Sequence, residues 1–228
     1  MTRYRITHTT RYRYGTEVTL CHNEARLTPV DDGRQQRIRS VFTIEPSPKV
    51  FRERRDYFGN LVTYFGVEVP HARLTVSVLS EVITNRAPGQ LPLGMDLPWE
   101  QVRDRVRGNR EPELRGVLQY ALDSPLVRRS ENGLRAYALE SFRPGRGVLE
   151  AALDLMGRIH RDFVYDPAAT TTSTPLAQVW EQRRGVCQDF AHLAIAMVRS
   201  VELPAGYVSG YLETLPPPGQ PKLVGADA

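Results

Sequence analysis

The sequence predicts an α+β protein, with β-strands in its first part and helices in most of the rest. Apolar and polar residues alternate with a period of two along residues 1–86, whereas apolar residues recur at helical spacing after residue 97. Residues 87–97 are rich in proline and glycine, which is typical of a linker. We therefore expect an antiparallel β-sandwich over 1–86, a linker over 87–97 and a second domain over 98–228.

The predicted sandwich consists of short β-rich runs that are separated by turn signals. Tyr4, Ile6 and His8 alternate in the first run, and residues 61–69 and 74–79 are rich in β-branched side chains. Glycine, proline, aspartate and asparagine mark turns at 31–33, 46–48, 58–60 and 70–71. Several short strands at this spacing favour two packed antiparallel sheets.

Four helices are predicted before residue 170, over 99–107, 113–122, 131–142 and 148–161. The last of these carries an apolar stripe, which consists of Val148, Leu149, Ala152, Leu155, Met156 and Ile159. Thr174 is expected to cap a further short helix with Pro175 at its first position. Residues 207–212 are predicted to form a strand.

Cys187 is predicted to lie in the first turn of a long buried helix. The apolar residues that follow it share one helical face: Phe190, Leu193, Ala194, Met197, Val198 and Val201. Gly185 is expected to permit a sharp entry into that helix. Unpaired backbone N–H groups and the helix dipole favour a thiolate there and could hold an oxyanion. A small buried hydrophobe is the alternative, because most cysteines pack in this way.

Residues 174–214 resemble the transglutaminase-like superfamily, whose members are related to cysteine proteases. The resemblance rests on residues 174–176, on Arg184-Gly185-Val186-Cys187-Gln188-Asp189-Phe190-Ala191-His192-Leu193, and on residues 203–205 and 207–211. Residues 56–60 and 70–71 also resemble the β domain that precedes bacterial transglutaminase-like domains. The resemblance implies a papain/transglutaminase-like core and acyl transfer through a Cys-His-Asp triad, either cross-linking glutamine side chains to amines or hydrolysing amides. It implies that Cys187 is the nucleophile and that no cofactor is needed.

Three further residues are candidates for substrate binding: Trp180, Gln188 and Asp189. Members of the family place aromatic groups near the nucleophile, so Trp180 is a candidate wall of the cleft, with packing in the core as the alternative. Gln188 and Asp189 flank the nucleophile. The helix dipole stabilises a carboxylate at Asp189 whatever its chemistry, so its presence does not discriminate between roles.

The remaining members of the triad are not found in the sequence. In the family a His-Ala-Trp motif follows the predicted strand and an aspartate in an Asp-Pro setting comes later, but neither motif follows the strand before Ala228, and Asp227 does not resemble the triad residue. We therefore expect a chain that is truncated before the catalytic histidine and is inactive alone. His192 lies five residues after Cys187, which on a helix means about 140° of rotation and about 7.5 Å of rise. Two positions also depart from the family, which usually carries Gly at Glu202 and Arg at Gly206.

Composition favours a globular protein, and the resemblance implies that its substrate is a protein or peptide. The net charge of +4 comes from an arginine-rich sequence in which acidic residues are interleaved, so we favour a solvated surface over nucleic-acid binding. No apolar run is long enough to span a membrane and no signal peptide is evident, so we expect a cytoplasmic protein without membrane contact. Two distant cysteines do not form a disulfide framework, and no metal-ligand cluster is evident. A non-catalytic binding module that uses the β domain is the alternative function.

Overall fold

The computed structural model describes residues 1–85, 96–108, 114, 116–129, 133–213 and 219. The chain divides into two compact units, Met1–Gly89 and Gln90–Ala228. Strands build the first unit and helices most of the second, so the α+β class predicted from the sequence is confirmed. The predicted linker over 87–97 lies mostly outside the described residues, and the domain boundaries stay a prediction.

The first unit is a pair of three-stranded antiparallel sheets. Its strands are β1 (Thr2–Val18), β2 (Cys21–Ala25), β3 (Gln35–Glu45), β4 (Val50–Arg55), β5 (Leu61–Val67) and β6 (His71–Thr84). The strand orders are β1-β6-β3 and β2-β5-β4. One apolar core contains Ile44, Leu74 and Val76 from the first sheet with Phe65 and Val67 from the second. The two sheets therefore pack face to face, as the sandwich prediction requires.

Strand β4 was not predicted from the sequence. Its residues after Val50 are all exposed and include charged side chains at positions 52–55. The strand lies at the edge of its sheet, where charged side chains are common because they discourage pairing with other chains. A charged, exposed edge strand lacks the apolar alternation that marks a half-buried one.

Glu81 ties the three strands of the first sheet together. Arg5 of β1 and Arg39 of β3 lie directly opposite it in the register, and Arg3 also contacts it. The arginine side chains bury the carboxylate to 3% exposure, with Arg39 Nη2 at 2.6 Å. Hydrogen bonds from Arg3 and Arg39 lower the pKa of Glu81 to about 2.

The second unit is a helical core with a two-stranded parallel sheet. Its helices are α1 (Trp99–Gly108), α2 (Leu134–Ser141), α3 (Val148–Asp162), α4 (Leu176–Gln182) and α5 (Cys187–Ser200), with a 3₁₀ turn at Leu118–Ala121. The short strands β7 (Val164–Tyr165) and β8 (Arg184–Gly185) pair in parallel. All six apolar residues predicted for one face of α5 lie in or against the main core. No helix among the described residues combines the length and apolarity that a bilayer span requires.

Several predicted helices differ in extent or in the face that they bury. The described residues of the segment predicted as a helix over 113–122 form only 3₁₀ structure, at residue 114 and over Leu118–Ala121, and residues 109–113 and 115 lie outside the described part. Helix α2, predicted over 131–142, begins at Leu134 and ends at Ser141. Residues 131 and 132 lie outside the described part of the chain. The predicted stripe on α3 was partly wrong, since Ala152 and Met156 are exposed. The buried face is Ala151, Leu155 and Ile159, at spacings of four residues, so Leu155 and Ile159 were predicted correctly and Ala151 was missed.

Two further predictions in the second unit need correction. Pro175, not Thr174, is the residue that caps α4, and Leu176 is the first helical residue. No strand forms over 207–212, where only Tyr211 takes part in a β-bridge. β-propensity depends on a partner strand and on packing, so an apolar run alone does not make a strand.

Helix α5 ends in a Schellman motif with a residue in the left-handed conformation. Leu203 N donates to Val198 O at 3.2 Å, and Glu202 N donates to Arg199 O at 2.9 Å. Glu202 has φ of 66°, in the region that glycine usually occupies. The left-handed position expected at this helix end is therefore present, but here it carries a side chain.

Candidate active site

The parallel strands β7 and β8 set the position of Cys187. Gly185 ends β8, Val186 has extended dihedral angles, and Cys187 begins α5 directly after it. Asp166 N donates to Gly185 O at 2.9 Å, which extends the contact between the two segments past the strands. The entry to the helix is therefore fixed by backbone pairing with the segment that follows α3.

Cys187 lies at the first residue of α5 and is exposed. Intrahelical bonding begins with Phe190 N donating to Val186 O at 3.1 Å, so the N–H groups of residues 187–189 precede the first helical bond. Among the residues that the structure describes, no hydrogen bond engages the Cys187 sulfur. An exposed thiol in the first turn of a helix, where backbone N–H groups lack helical partners, has the local geometry of a nucleophile with an oxyanion site. The burial expected of a small core hydrophobe does not apply to this cysteine.

Asp189 is buried and fastens the start of α5. Its Oδ2 accepts hydrogen bonds from Val186 N at 2.8 Å and from Thr170 Oγ1 at 2.6 Å. The bond to Val186 is the half of a capping box in which the third helical residue reaches back to the N-cap. The Asp189 carboxylate, which was predicted to bind substrate, thus bonds to two groups of the protein.

Close packing against Asp189, not backbone flexibility, requires glycine at position 185. It has no left-handed backbone angle, so conformational freedom is not what the turn needs. A Cβ at Gly185 would lie 2.6 Å from Asp189 Oδ2, closer than real Cβ contacts allow. Glycine is needed here because the carboxylate occupies the space beside its Cα.

Gln188 and Asp189 line a small cavity at the start of α5. Its walls also include Leu126, Thr172, Thr174, Leu176, Val179 and His192, whereas Cys187 is not among them. The structure therefore brings two of the predicted site residues together in a cavity that Cys187 does not line. A role for Gln188 in binding substrate stays a prediction.

His192 is held in the helical unit rather than beside the sulfur. Its ring packs against Tyr207, with 5.4 Å between ring centroids. Burial lowers the pKa of His192, and the nearby Asp189 carboxylate partly opposes that shift. His160 is in the last turn of α3, and His8, His22 and His71 belong to strands of the first unit.

Trp180 belongs to an aromatic cluster at the edge of the core. Its ring centroid lies 5.5 Å from that of Tyr137 and 6.1 Å from that of Phe163. The guanidinium of Arg183 lies 3.6 Å from the centre of the Trp180 ring. These contacts agree with the alternative of core packing, and a role in the cleft wall stays a prediction.

Two polar pairs were missed by the sequence analysis. Thr170 lies 19 residues before Asp189, and no local pattern links the two. In the first unit, Cys21 Sγ lies 3.6 Å from Nε2 of the buried His71, whose Nδ1 donates to Val69 O at 2.7 Å. Cys21 is therefore hydrogen-bonded to a histidine within the β unit. Within the described ranges, no group of three or more metal-ligating side chains comes together.

The comparisons with known proteins assign the family. The family described as "Bacterial transglutaminase-like N-terminal region" matches residues 4–83, and the one described as "Transglutaminase-like superfamily" matches residues 135–221. This chain belongs to the transglutaminase-like superfamily, a class of cysteine-enzyme-like proteins, and it carries the bacterial amino-terminal region of that class.

Similar proteins occur in mycobacteria. An uncharacterised protein of Mycobacterium tuberculosis is 41% identical over 99% of this chain and 71% of its own length. An uncharacterised protein of Mycobacterium leprae is 34% identical over 93% of this chain and 72% of its own. A crystal structure described as a candidate cysteine protease from Cytophaga hutchinsonii shares the fold, with a TM-score of 0.70. It is 18% identical, and the match covers 92% of this chain and 67% of that one.

Proposed function

We propose that this protein is a transglutaminase-like cysteine enzyme that acts on amides of proteins or peptides, with Cys187 as its nucleophile. One observation carries the proposal: the superfamily's cysteine motif falls at the first residue of α5, where the thiol is exposed beside the amide N–H groups of the first helical turn. The helix behind it is packed into the core through Leu193 and Met197, which are fully buried. A rigid helix of this kind holds its first residue in a defined position.

The proposed reaction proceeds through a thioester. The Cys187 sulfur attacks the amide carbonyl carbon, and the oxyanion that forms accepts hydrogen bonds from the first turn of α5. Collapse of this intermediate breaks the C–N bond, and the nitrogen leaves as ammonia or an amine after it takes up a proton. Water then releases an acid, or a second amine forms a new amide, and the thiol is restored. Both outcomes share the thioester, so the proposal covers hydrolysis and transamidation.

The reaction also needs a general base that takes the thiol proton and returns it to the leaving nitrogen. His192 shares a helix with Cys187 and packs on Tyr207, so we do not assign it this role. We therefore propose that the described residues supply the nucleophile and its amide donors, and that turnover depends on a base from another part of the protein.

The test is turnover of a glutamine-containing peptide by the native full-length protein, with and without a fluorescent primary amine. Cys187→Ala is expected to reduce product formation by a factor on the order of 10³ or more, because the covalent intermediate cannot form. Cys21→Ser is the matched control and should retain activity, because Cys21 belongs to the β unit. Full turnover by Cys187→Ala would overturn the proposal.

A second candidate function is binding of an acidic protein segment by the β unit, and one sheet face favours it. Residues directly opposite each other, and alternate residues along a strand, share a face of the sheet. By this rule Arg11 and Arg13 share the face of Arg5, and Arg73 lies directly opposite Arg13. All four side chains are exposed. If the protein is only a binding module, Cys187→Ala will bind its partner and act as the wild type does.

A further inference from the structure

The start of α5 is held by one oxygen atom. Asp189 Oδ2 accepts from Val186 N, which immediately precedes the nucleophile, and from the Thr170 hydroxyl. Asp189 is 6% exposed, so the side chain that accepts both bonds is buried. A hydrogen bond to an ionised acceptor is stronger than one between neutral groups, which makes this a firm attachment.

Thr170 lies in a loop over 166–174 that is also attached at its first residue. There Asp166 N bonds to Gly185 O at 2.9 Å, and Asp166 Oδ2 accepts from Arg184 at 3.4 Å. Within the loop, Thr174 Oγ1 accepts from Thr171 N at 2.8 Å. The bond from Thr170 to Asp189 is a second attachment further along, and it joins the loop to the helix that carries the nucleophile.

The close packing of Gly185 shows that the carboxylate has a fixed place. A methyl group at Gly185 would lie 2.6 Å from Oδ2 and 2.9 Å from Asp189 Cβ. The carboxylate therefore lies directly against the backbone of β8 while it bonds to Val186 and Thr170. Strand, loop and helix meet at this one side chain.

We propose that Asp189 is a positioning residue that fixes Cys187 and the 166–174 loop relative to each other, with Thr170 and Gly185 as its partners. The inference rests on the proposed function, and it replaces substrate binding as the role of Asp189. Asp189 acts on the reaction only through the placement of Cys187. A displacement of about 1 Å in a reacting group can lower a rate on the order of a hundredfold.

The variants are Asp189→Ala, which removes the acceptor, and Asp189→Asn, whose amide oxygen can still accept both bonds. Amide hydrogen exchange at Val186 and the steady-state constants on a peptide amide are measured well below the melting temperature of each variant. In Asp189→Ala the Val186 amide should exchange faster by a factor on the order of ten or more. Its kcat should fall on the order of a hundredfold at an unchanged KM, and Asp189→Asn should restore both properties.

Two pairs of variants test the partners. Thr170→Val should lower kcat while Thr170→Ser retains it, because only the serine keeps the hydroxyl donor. Gly185→Ala should speed Val186 exchange strongly in the wild type and less in the Asp189→Ala background, where the carboxylate at 2.6 Å is absent and only the Cβ contact at 2.9 Å remains. Independent effects of the two substitutions would contradict the proposed contact.

The exchange measurement separates this inference from the proposed function. If Val186 exchange is the same in Asp189→Ala as in the wild type, the positioning role is wrong whatever the activity. The same conclusion follows if kcat is unchanged in Asp189→Ala while Cys187→Ala abolishes turnover. If the wild type forms no product that depends on Cys187, the proposed function fails, and the positioning of a catalytic thiol fails with it even where Val186 exchange responds.

Discussion

Glu202 shows how a single residue carries strain at the end of a helix. Its φ of 66° places it in the left-handed region, where a side chain costs about 1–2 kcal/mol relative to the right-handed one. Its side chain forms an ion pair with Arg107 at 3.1 Å, in which both side chains are more than a third exposed. Such exposed ion pairs contribute little to the free energy of unfolding.

We expect Glu202→Gly to raise the free energy of unfolding by up to about 1 kcal/mol, because glycine adopts this angle without steric cost. Glu202→Ala is the control, since it removes the ion pair but keeps a Cβ. Urea denaturation of both variants checks the prediction. Equal stabilities for the glycine and alanine variants would show that the backbone angle is not the source of strain.

At the scale of an element, helix α3 has one glycine within it and one at its N-cap, in opposite situations. Gly157 lies within the helix and has room for a methyl group, with Arg161 Nη1 as the nearest atom at 3.5 Å. Gly147 is the N-cap, and a methyl group there would collide with the carboxylate of Asp96. That carboxylate accepts from Leu149 N at 3.0 Å and Glu150 N at 2.9 Å, so it caps the helix from outside.

Gly157→Ala should stabilise the second unit by about 0.5–1 kcal/mol, because alanine loses less conformational entropy in a helix. Gly147→Ala is the matched control and should destabilise, because it displaces the Asp96 cap. The melting temperatures of both variants, compared with that of the wild type, test this prediction. A stabilising Gly147→Ala would contradict the capping role of Asp96.

The first sheet has its own pH dependence through Glu81. The pKa of this carboxyl falls from an ordinary value of 4.5 to about 2 in the folded sheet. Its contribution to stability is therefore fully present above about pH 4.5, and it is lost as the pH falls from about 4.5 towards about 2. Protonation would leave Arg3, Arg5 and Arg39 without their shared anion.

Glu81→Gln is expected to lower the melting temperature of the first unit at pH 7 and to weaken its dependence on pH below 4.5. Glu17→Gln on β1 is the control, since Glu17 is exposed and has no ion pair among the described residues. Melting curves between pH 2 and pH 7 test the pair. The same pH dependence in Glu81→Gln and the wild type would rule out Glu81 as its source.

For the whole molecule, the two thiols provide a direct comparison of their surroundings. Cys187 is exposed, whereas Cys21 is half-buried and bonded to His71 and Asn23. Iodoacetamide should therefore modify Cys187 faster, by a factor on the order of ten or more. Peptide mass spectrometry of a timed reaction measures both rates, and Cys21→Ser should leave the faster one unchanged. Faster labelling of Cys21 would contradict the exposure assigned to Cys187.

Local patterns predicted much of this architecture and the place of the nucleophile. The α+β class, the start of α5 and its apolar face follow from periodicity, which neighbouring residues encode. The bond from Thr170 to Asp189 and the true role of Gly185 could not be predicted, because they depend on side chains that the fold brings together. For the same reason, the sequence did not predict strand β4 and wrongly predicted a strand over 207–212, since both outcomes depend on pairing partners.

The central claim is that Cys187 forms a covalent acyl intermediate. The native full-length protein is mixed with an activated ester of a glutamine-like acyl group, quenched in acid, and digested for mass mapping. We predict a thioester on the peptide that contains Cys187, its release by hydroxylamine, and its absence from Cys187→Ala. An adduct on Cys21 instead, or no adduct on Cys187 while the wild type turns the substrate over, would contradict the account.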